Sequence, residues 1–188
     1  MPMYRLCLLL ALATFFTGCD TTLGTQARTD QLPTIRIPGA PIPSALQISL
    51  GAAIANPPID LGSSSSFVTF VRVRNMTLNI LDISEQDSND DGAEDSFDFL
   101  TGLSIFIRAN FNGTSNELLI ATLPDGDPQF GTAARELVLT VVARDTDVLD
   151  FLEASDGYDV VLRLSGSVPA DDVLISGAIR YRVGIGIT

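Results

Sequence analysis

The C-terminal segment of the chain alternates apolar and polar or small residues over its whole length. Successive side chains of a β-strand point to opposite faces of the sheet, so a repeat of two residues indicates a strand with one buried face. One face of this segment would carry Ile175, Gly177, Ile179, Tyr181, Val183, Ile185 and Ile187, and the other Ser176, Ala178, Arg180, Arg182, Gly184 and Gly186. The pattern predicts a long final strand with its apolar face on a core.

The same repeat of two recurs along most of the chain, between short turn signals. It covers 46–50, 71–80, 103–110, 118–123, 137–142 and 160–164. In 71–80 the apolar phase moves by one residue, which predicts a bulge near Asn75. Asn112-Gly113 is a pair favoured in tight hairpins. Only 147–154 has a helical pattern, and this short helix would close an open end of the sheets.

These strands predict an all-β fold, namely an antiparallel two-sheet β-sandwich of seven to eight strands with one short helix. One-sided strands at this spacing bury their apolar faces by packing two sheets face to face. We place this β-sandwich domain at 45–188. The preceding segment, 19–44, is rich in Pro and Thr, and we predict that it is a flexible tether that holds the domain off a surface.

The N-terminus has the plan of an export signal. Arg5 precedes an apolar run over 6–16, which is shorter than the roughly 20 residues that span a bilayer, and small residues then lead to Cys19. Phe16-Thr17-Gly18-Cys19 resembles the lipobox of bacterial lipoproteins, with Phe16 where Leu is usual. The alternative is an ordinary cleavage site that happens to lie beside a cysteine.

The lipobox resemblance implies removal of a signal peptide at 1–18 and acylation of Cys19, for example with palmitate. Cys7 would leave with the signal peptide, so the mature chain would hold no free thiol. The membrane would then be a partner through the covalent lipid, and the domain would lie outside the cytoplasm in the bacterial cell envelope. Asp20 resembles an inner-membrane retention signal of enteric bacteria, but the choice between inner and outer membrane stays open.

An acidic segment at 87–98 has the spacing of a calcium loop. Oxygen ligands fall at alternate positions around a central Gly92, as a hard cation with six to eight oxygens requires. The candidate metal ligands are Asp87, Asn89, Asp91, the Ala93 carbonyl, Asp95 and Asp98. The loop resembles those of dockerins, thrombospondin type 3 repeats and EF-hands, which implies a Ca²⁺ site but not cohesin binding. The alternative is a solvated acidic hairpin loop.

The amino-acid composition argues against two classes of function, nucleic-acid binding and catalysis. The chain holds 23 acidic against 11 basic residues, for a net charge of −12, and this excludes nucleic acid as an expected partner. All basic residues are Arg, and His and Lys are absent, so the commonest general base and the amine nucleophile are missing. We therefore predict that the chain is not an enzyme.

Four arginines, Arg72, Arg74, Arg180 and Arg182, fall on outward strand positions. We expect them to pair with carboxylates across the strands, with a patch for an anionic partner as the alternative. The acidic Asp125-Gly126-Asp127-Pro128 and Asp156-Gly157 are expected to be ordinary turns.

The sequence thus predicts a lipid-anchored envelope protein with a non-enzymatic structural or binding role and a calcium-stabilised loop. The alternative is a module that recognises carbohydrate or protein with loops at one end of the sandwich. A hydrolase that uses a carboxylate pair is a third possibility, because such a pair can be formed by residues far apart in sequence.

Overall fold

The computed structural model describes residues 21–39, 50–56, 68–81, 95–169 and 171–187, and these form nine strands in two antiparallel sheets. The four-stranded sheet has the order β1-β9-β3-β6 and the five-stranded sheet the order β2-β8-β4-β5-β7. The strands are β1 Thr21–Ile37, β2 Leu50–Asn56, β3 Val68–Leu81, β4 Leu100–Phe111, β5 Thr114–Leu123, β6 Glu136–Val138, β7 Thr140–Val141, β8 Tyr158–Gly166 and β9 Val173–Ile187. The predicted all-β sandwich with one short helix is confirmed.

Several predictions concern residues outside the described part of the chain. They are the signal peptide at 1–18, Cys19, the alternation at 46–49 and the loop ligands Asp87, Asn89, Asp91 and Ala93. Within the described residues, no helix is long and apolar enough to cross a membrane.

The core lies between the two sheets and is formed by the faces that the alternation predicts. On β9, Ile175, Ile179 and Tyr181 are at most 1% exposed, whereas Arg180 and Arg182 are exposed. On β4, Leu103, Ile105 and Ile107 are buried in the same cluster. The repeat of two therefore identified the inner face of both central strands.

The predicted bulge near Asn75 is present. The pairing of β3 with β9 shifts register between Val73 and Asn75. Val71 and Val73 are buried before the shift, and Met76 and Leu78 after it. Without the extra residue, one half of β3 would turn its apolar side chains to solvent.

The β4–β5 hairpin also has the predicted turn. Asn112 has φ 52° and Gly113 φ 78°, and Phe111 pairs with Thr114 across them. Two consecutive residues with positive φ match the twist of an antiparallel hairpin, and Asn and Gly adopt this conformation at the lowest cost.

The predicted tether at 19–44 is wrong for most of its length, because Thr21–Ile37 forms β1 and pairs along β9. β1 is the edge strand of its sheet, where a proline without an N–H is tolerated. Pro33 falls between Leu32 and Ile35, where the register shifts. The pairing also covers the edge that β9 would otherwise expose.

The strand predicted at 137–142 is split between the two sheets. β6 pairs with β3, and β7 pairs with β5. Between them, the Leu139 N–H donates to the Met76 carbonyl oxygen at 3.0 Å. The prediction of seven to eight strands did not include β1 and counted β6 and β7 as one strand. The described residues therefore form nine strands.

The helix predicted at 147–154 is a single turn, α1, at Leu149–Leu152. One Asp147 side-chain oxygen, Oδ1, accepts hydrogen bonds from the N–H groups of Leu149 at 3.0 Å and Val71 at 2.9 Å. Asp147, which lies just before the N-cap residue Val148, therefore connects the start of α1 to β3. Val148 and Leu152 are buried, so α1 packs on the core as expected.

A side chain protects the outer edge of β6. Gln129 Nε2 donates to the Val138 carbonyl oxygen at 3.1 Å, and the Val138 N–H donates to Gln129 Oε1 at 2.9 Å. The side-chain amide thus takes the place of a further strand.

We expect Gln129→Ala to lower the free energy of unfolding by about 1 kcal/mol, because two edge groups of Val138 lose their partner. It should also promote aggregation through the bare edge. Urea denaturation and light scattering would measure both effects. The control is Gln31→Ala on the exposed face of β1; equal behaviour of the two variants would contradict this role for Gln129.

Candidate functional site

An open groove of about 520 Å³ lies at the end of the sandwich where the β4–β5 hairpin meets α1. We call it the end groove. Its lining residues are Asn110, Phe111, Asn112, Asp150, Phe151, Glu153, Ala154 and Ser155. Aromatic rings, amides and carboxylates therefore meet at one open end, the combination that fixes and orients polar ligands.

Packing between the hairpin and α1 sets the shape of the end groove. The rings of Phe111 and Phe151 meet edge to face with their centroids 5.3 Å apart. Asp150 and Glu153 are exposed on the helical turn and the residue after it. A glycosidase acid usually lies in an apolar environment that favours its protonated form, and neither Asp150 nor Glu153 is buried in one.

The outer face of the five-stranded sheet has its positive charges neutralised. Arg108 Nη2 lies 2.5 Å from Asp159 Oδ2, and Arg163 Nη2 lies 2.5 Å from Glu117 Oε2. Arg163 also stacks over the Phe106 ring at 4.2 Å. The arginines of this face are thus already partnered.

The outer face of the four-stranded sheet is different. Arg72, Arg74, Arg180 and Arg182 lie on it, and we call these four residues the arginine face. Arg72 is directly opposite Arg182, and Arg180 is opposite Asn75. Arg74 comes within 3.9 Å of Asp145, a carboxylate that is 88% exposed. No carboxylate of the described residues lies within 4 Å of the other three.

Among the described carboxylates, the expected cross-strand partners of Arg72, Arg180 and Arg182 are therefore not found. The outward positions of β1, β3 and β9 around them hold residues such as Ala27, Thr29 and Thr77, but no acid in the described part. Arg72 instead lies over the Phe70 ring at 4.6 Å, and its buried Nε has no hydrogen-bond partner in the described part of the chain.

A second groove, of about 490 Å³, opens on the arginine face, and we call it the arginine groove. Arg74, Arg180 and Arg182 contribute its charged lining. The other lining residues are Thr25, Gln26, Ala27, Asn75 and Tyr181. The bulge at β3 contributes both Arg74 and Asn75, so the irregularity in the strand also shapes the groove.

We expect Arg182→Thr to raise the free energy of unfolding by about 0.5 kcal/mol, because it removes a like charge directly opposite Arg72. Arg163→Thr should lower the free energy of unfolding, since Glu117 loses its closer partner and keeps only Arg108 at 3.9 Å. Thermal denaturation of the two variants provides the comparison. Loss of stability in Arg182→Thr equal to that in Arg163→Thr would contradict the charge repulsion.

A polar cluster lies between the sheets at Arg28, Asp30, Tyr158 and Tyr181. Arg28 Nε donates to Asp30 Oδ1 at 2.8 Å. Burial, reinforced by the Asp30 charge, raises the pKa of Tyr158 to about 12. Burial also raises the pKa of Tyr181, whose hydroxyl is close to Tyr158 but makes no hydrogen bond of good geometry. Both phenols therefore stay protonated at neutral pH, which suits a structural role.

Asp172 fixes the end of β1 to the start of β9. It accepts hydrogen bonds from the Gly39 N–H at 2.7 Å and from Arg36 Nε at 2.6 Å. These two bonds, the Gly39 bond first, hold the pKa of Asp172 below its ordinary value. Gly39 lies so close to the Asp171 backbone that a Cβ would be 2.1 Å from its carbonyl carbon.

Of the predicted calcium ligands, only Asp95 and Asp98 are among the described residues. Asp98 is exposed within a 3₁₀ turn at Phe97–Phe99, and both phenylalanines are buried. The turn fixes the end of the acidic segment and directs Asp98 outward, which fits a ligand role. Over the described residues, no three metal-ligating side chains are grouped as a metal site.

The turns expected at Asp125-Gly126 and Asp156-Gly157 are present. Both glycines have φ 79°. Asp127 Oδ1 accepts a hydrogen bond from the Gln129 N–H at 3.0 Å, so its carboxylate stabilises the loop that carries Gln129.

No protein-family model and no curated protein matches this chain. Among solved structures, it is similar to the BFDV capsid protein of a 60-mer, at 9% identity and a TM-score of 0.33, over 88% of this chain and 95% of that one. It is also similar to a chain of black queen cell virus, at 10% identity and a TM-score of 0.27, over 85% and 72% of the two chains. Likenesses this weak assign neither a family nor a function.

Proposed function

We propose that the chain is a bacterial envelope lipoprotein, anchored by lipid on Cys19, whose β-sandwich serves a binding or structural role rather than catalysis. The observation that supports the anchor most is the lipobox-like Phe16-Thr17-Gly18-Cys19. The structure adds that β1 starts at Thr21, two residues after Cys19. Two residues span at most about 7 Å. Acyl chains on Cys19 would therefore hold the sandwich directly at the bilayer.

This arrangement differs from a domain on a long tether. Because β1 is paired along β9 from Thr21 onward, the strand cannot serve as a spacer while the sheet is intact. Two or three acyl chains give durable membrane binding at about 0.8 kcal/mol per buried CH₂. The proposed role is thus exerted at the membrane surface, on the inner or the outer membrane.

Palmitate labelling of the native host, followed by membrane fractionation, tests the anchor. We expect label and membrane retention in the unaltered protein and in Cys7→Ser, whose substitution lies in the segment that would be removed. Cys19→Ser should lose both. Labelling of Cys19→Ser at the level of the unaltered protein would refute the anchor.

We also propose that the acidic segment at 87–98 binds Ca²⁺. Support comes from its ligand spacing and from the buried turn that fixes Asp98. A single exposed loop of this kind should bind with a dissociation constant of about 10⁻⁴ to 10⁻³ M. Calorimetric titration should show heat for the unaltered chain and for Asp125→Ala plus Asp156→Ala, but none for Asp87→Ala plus Asp91→Ala. Flat traces for all three would exclude calcium.

The end groove favours a second candidate, recognition of a carbohydrate or a protein at that end of the sandwich. Its paired Phe111 and Phe151 rings and its exposed Asp150 are the groups that bind a polar ligand. Glycan-array binding that is lost in Asp150→Ala and kept in Glu136→Ala would support this role. An array without any signal, or equal signals from both variants, would count against glycan recognition there.

A further inference from the structure

We propose that the arginine groove binds a phosphate group, presented either by an anionic phospholipid headgroup or by a free phosphate compound. The lipid source rests on the anchor proposed at Cys19, whereas the free source does not. The proposal rests on a difference between the two outer faces of the sandwich. Arginines of the five-stranded sheet are paired with carboxylates, whereas Arg180 and Arg182 of the four-stranded sheet have no such partner among the described residues.

On the five-stranded sheet, Arg108 and Arg163 each have a carboxylate at 2.5 Å. On the four-stranded sheet, Arg180 and Arg182 are exposed and have no carboxylate within 4 Å among the described residues. Among the described residues, Asp145 is the one carboxylate within 4 Å of an arginine of this face, at 3.9 Å from Arg74. Arg180 and Arg182 are therefore positioned to bind an added anion.

The residues that line the arginine groove favour an anion with several oxygen atoms as its ligand. Three guanidinium groups line one groove with Asn75, Thr25 and Gln26. The planar guanidinium group of Arg donates two parallel hydrogen bonds to a phosphate or carboxylate. A dianionic phosphate can accept such hydrogen bonds from several guanidinium groups at the same time. An anion there would also relieve the repulsion between Arg72 and Arg182, which face each other across β3 and β9.

The position of the groove is compatible with a membrane source. Arg182 pairs with Ala27, six residues beyond the start of β1. At about 3.3 Å per residue, the groove begins at Thr25, about 13 Å along the strand from Thr21, and Arg182 lies about 20 Å along it. A sandwich anchored at Cys19 could therefore lay this face on anionic headgroups, which attract each nearby arginine.

The test uses the full chain with Cys19→Ser, so that acylation contributes to neither measurement. Calorimetric titration with inorganic pyrophosphate probes the free source. Flotation with vesicles of phosphatidylcholine, alone or mixed equally with phosphatidylglycerol, probes the lipid source. Arg180→Gln plus Arg182→Gln removes two groove arginines, and Arg108→Gln plus Arg163→Gln makes the same charge change on the opposite face.

We expect the groove variant to weaken binding of pyrophosphate, or of anionic over neutral vesicles, by about tenfold or more. The opposite-face variant should change either value by less than about twofold. A loss with both probes, or with pyrophosphate alone, supports a phosphate site open to free compounds. A loss with anionic vesicles alone assigns the site to headgroups. Equal behaviour of the two variants with both probes would overturn the proposal, whatever the palmitate labelling of Cys19 shows.

Discussion

Phe97→Ala is expected to lower the free energy of unfolding by about 3–5 kcal/mol, the usual cost of removing a fully buried phenylalanine. Phe97 is 0% exposed and lies where the acidic segment enters the core. Its N–H donates to the Ala134 carbonyl oxygen at 2.9 Å, so the backbone holds the ring in place. A truncated side chain would leave a cavity that this fixed backbone cannot fill.

Chemical denaturation monitored by circular dichroism measures the loss at Phe97. Asp98→Ala is the matched control, because Asp98 is the exposed neighbour on the same turn. In calcium-free buffer it should change stability by less than about 0.5 kcal/mol. If both variants lost the same stability, the turn would not be held by Phe97 as described.

Asp172→Ala is expected to cost about 2 kcal/mol at neutral pH, because it leaves the Gly39 N–H and the Arg36 guanidinium without their shared acceptor. The carboxylate is 8% exposed, so water replaces it poorly. Asp172 holds the end of β1, so this strand should be the first part of the sheet to lose stability. Faster hydrogen exchange of the β1 amides would show this local loss.

The contribution of Asp172 should also depend on pH. Its pKa is lowered in the folded protein, chiefly by the Gly39 hydrogen bond and then by Arg36. A lowered folded pKa stabilises the native state above the ordinary value of about 3.9 and loses that effect as pH falls through the folded value. Asp172→Asn keeps the shape without the charge. The unaltered protein should exceed it in stability at pH 7, and the difference should vanish in acid; a difference independent of pH would contradict the assignment.

Much of the fold could be predicted because one physical rule governs most of the chain. A strand with one buried face must repeat with a period of two, so β4, β8 and β9 could be located from their residues. The same rule placed the bulge near Asn75, since the apolar phase of β3 changes there. The Asn112-Gly113 turn follows from local backbone preferences and needs no tertiary information.

What could not be predicted depends on partners distant in sequence. Prolines in 19–44 made that segment look unable to pair, but Pro33 is tolerated because β1 is an edge strand, a fact of topology alone. The pair Arg28 and Asp30 was not predicted either, because both residues lie on β1, where the sequence pattern predicts a tether. Asp172 gave no local signal either, since its partners lie more than 130 residues away.

The candidate sites show the same division. The outward direction of Arg180 and Arg182 follows from the alternation, but the lack of carboxylates beside them among the described residues does not. It results from the strand order, which places Ala27, Thr29 and the β3 arginines around them. The end groove likewise requires the packing of Phe111 on Phe151, which are 40 residues apart in sequence.

Mass spectrometry of the N-terminal peptide of the protein purified from native membranes tests the proposed anchor most directly. We expect the first residue to be Cys19 carrying a diacylglyceryl group on its sulfur, with Thr21 and the start of β1 in the same peptide. A chain that still begins at Met1, or a Cys19 without added mass, would contradict the account.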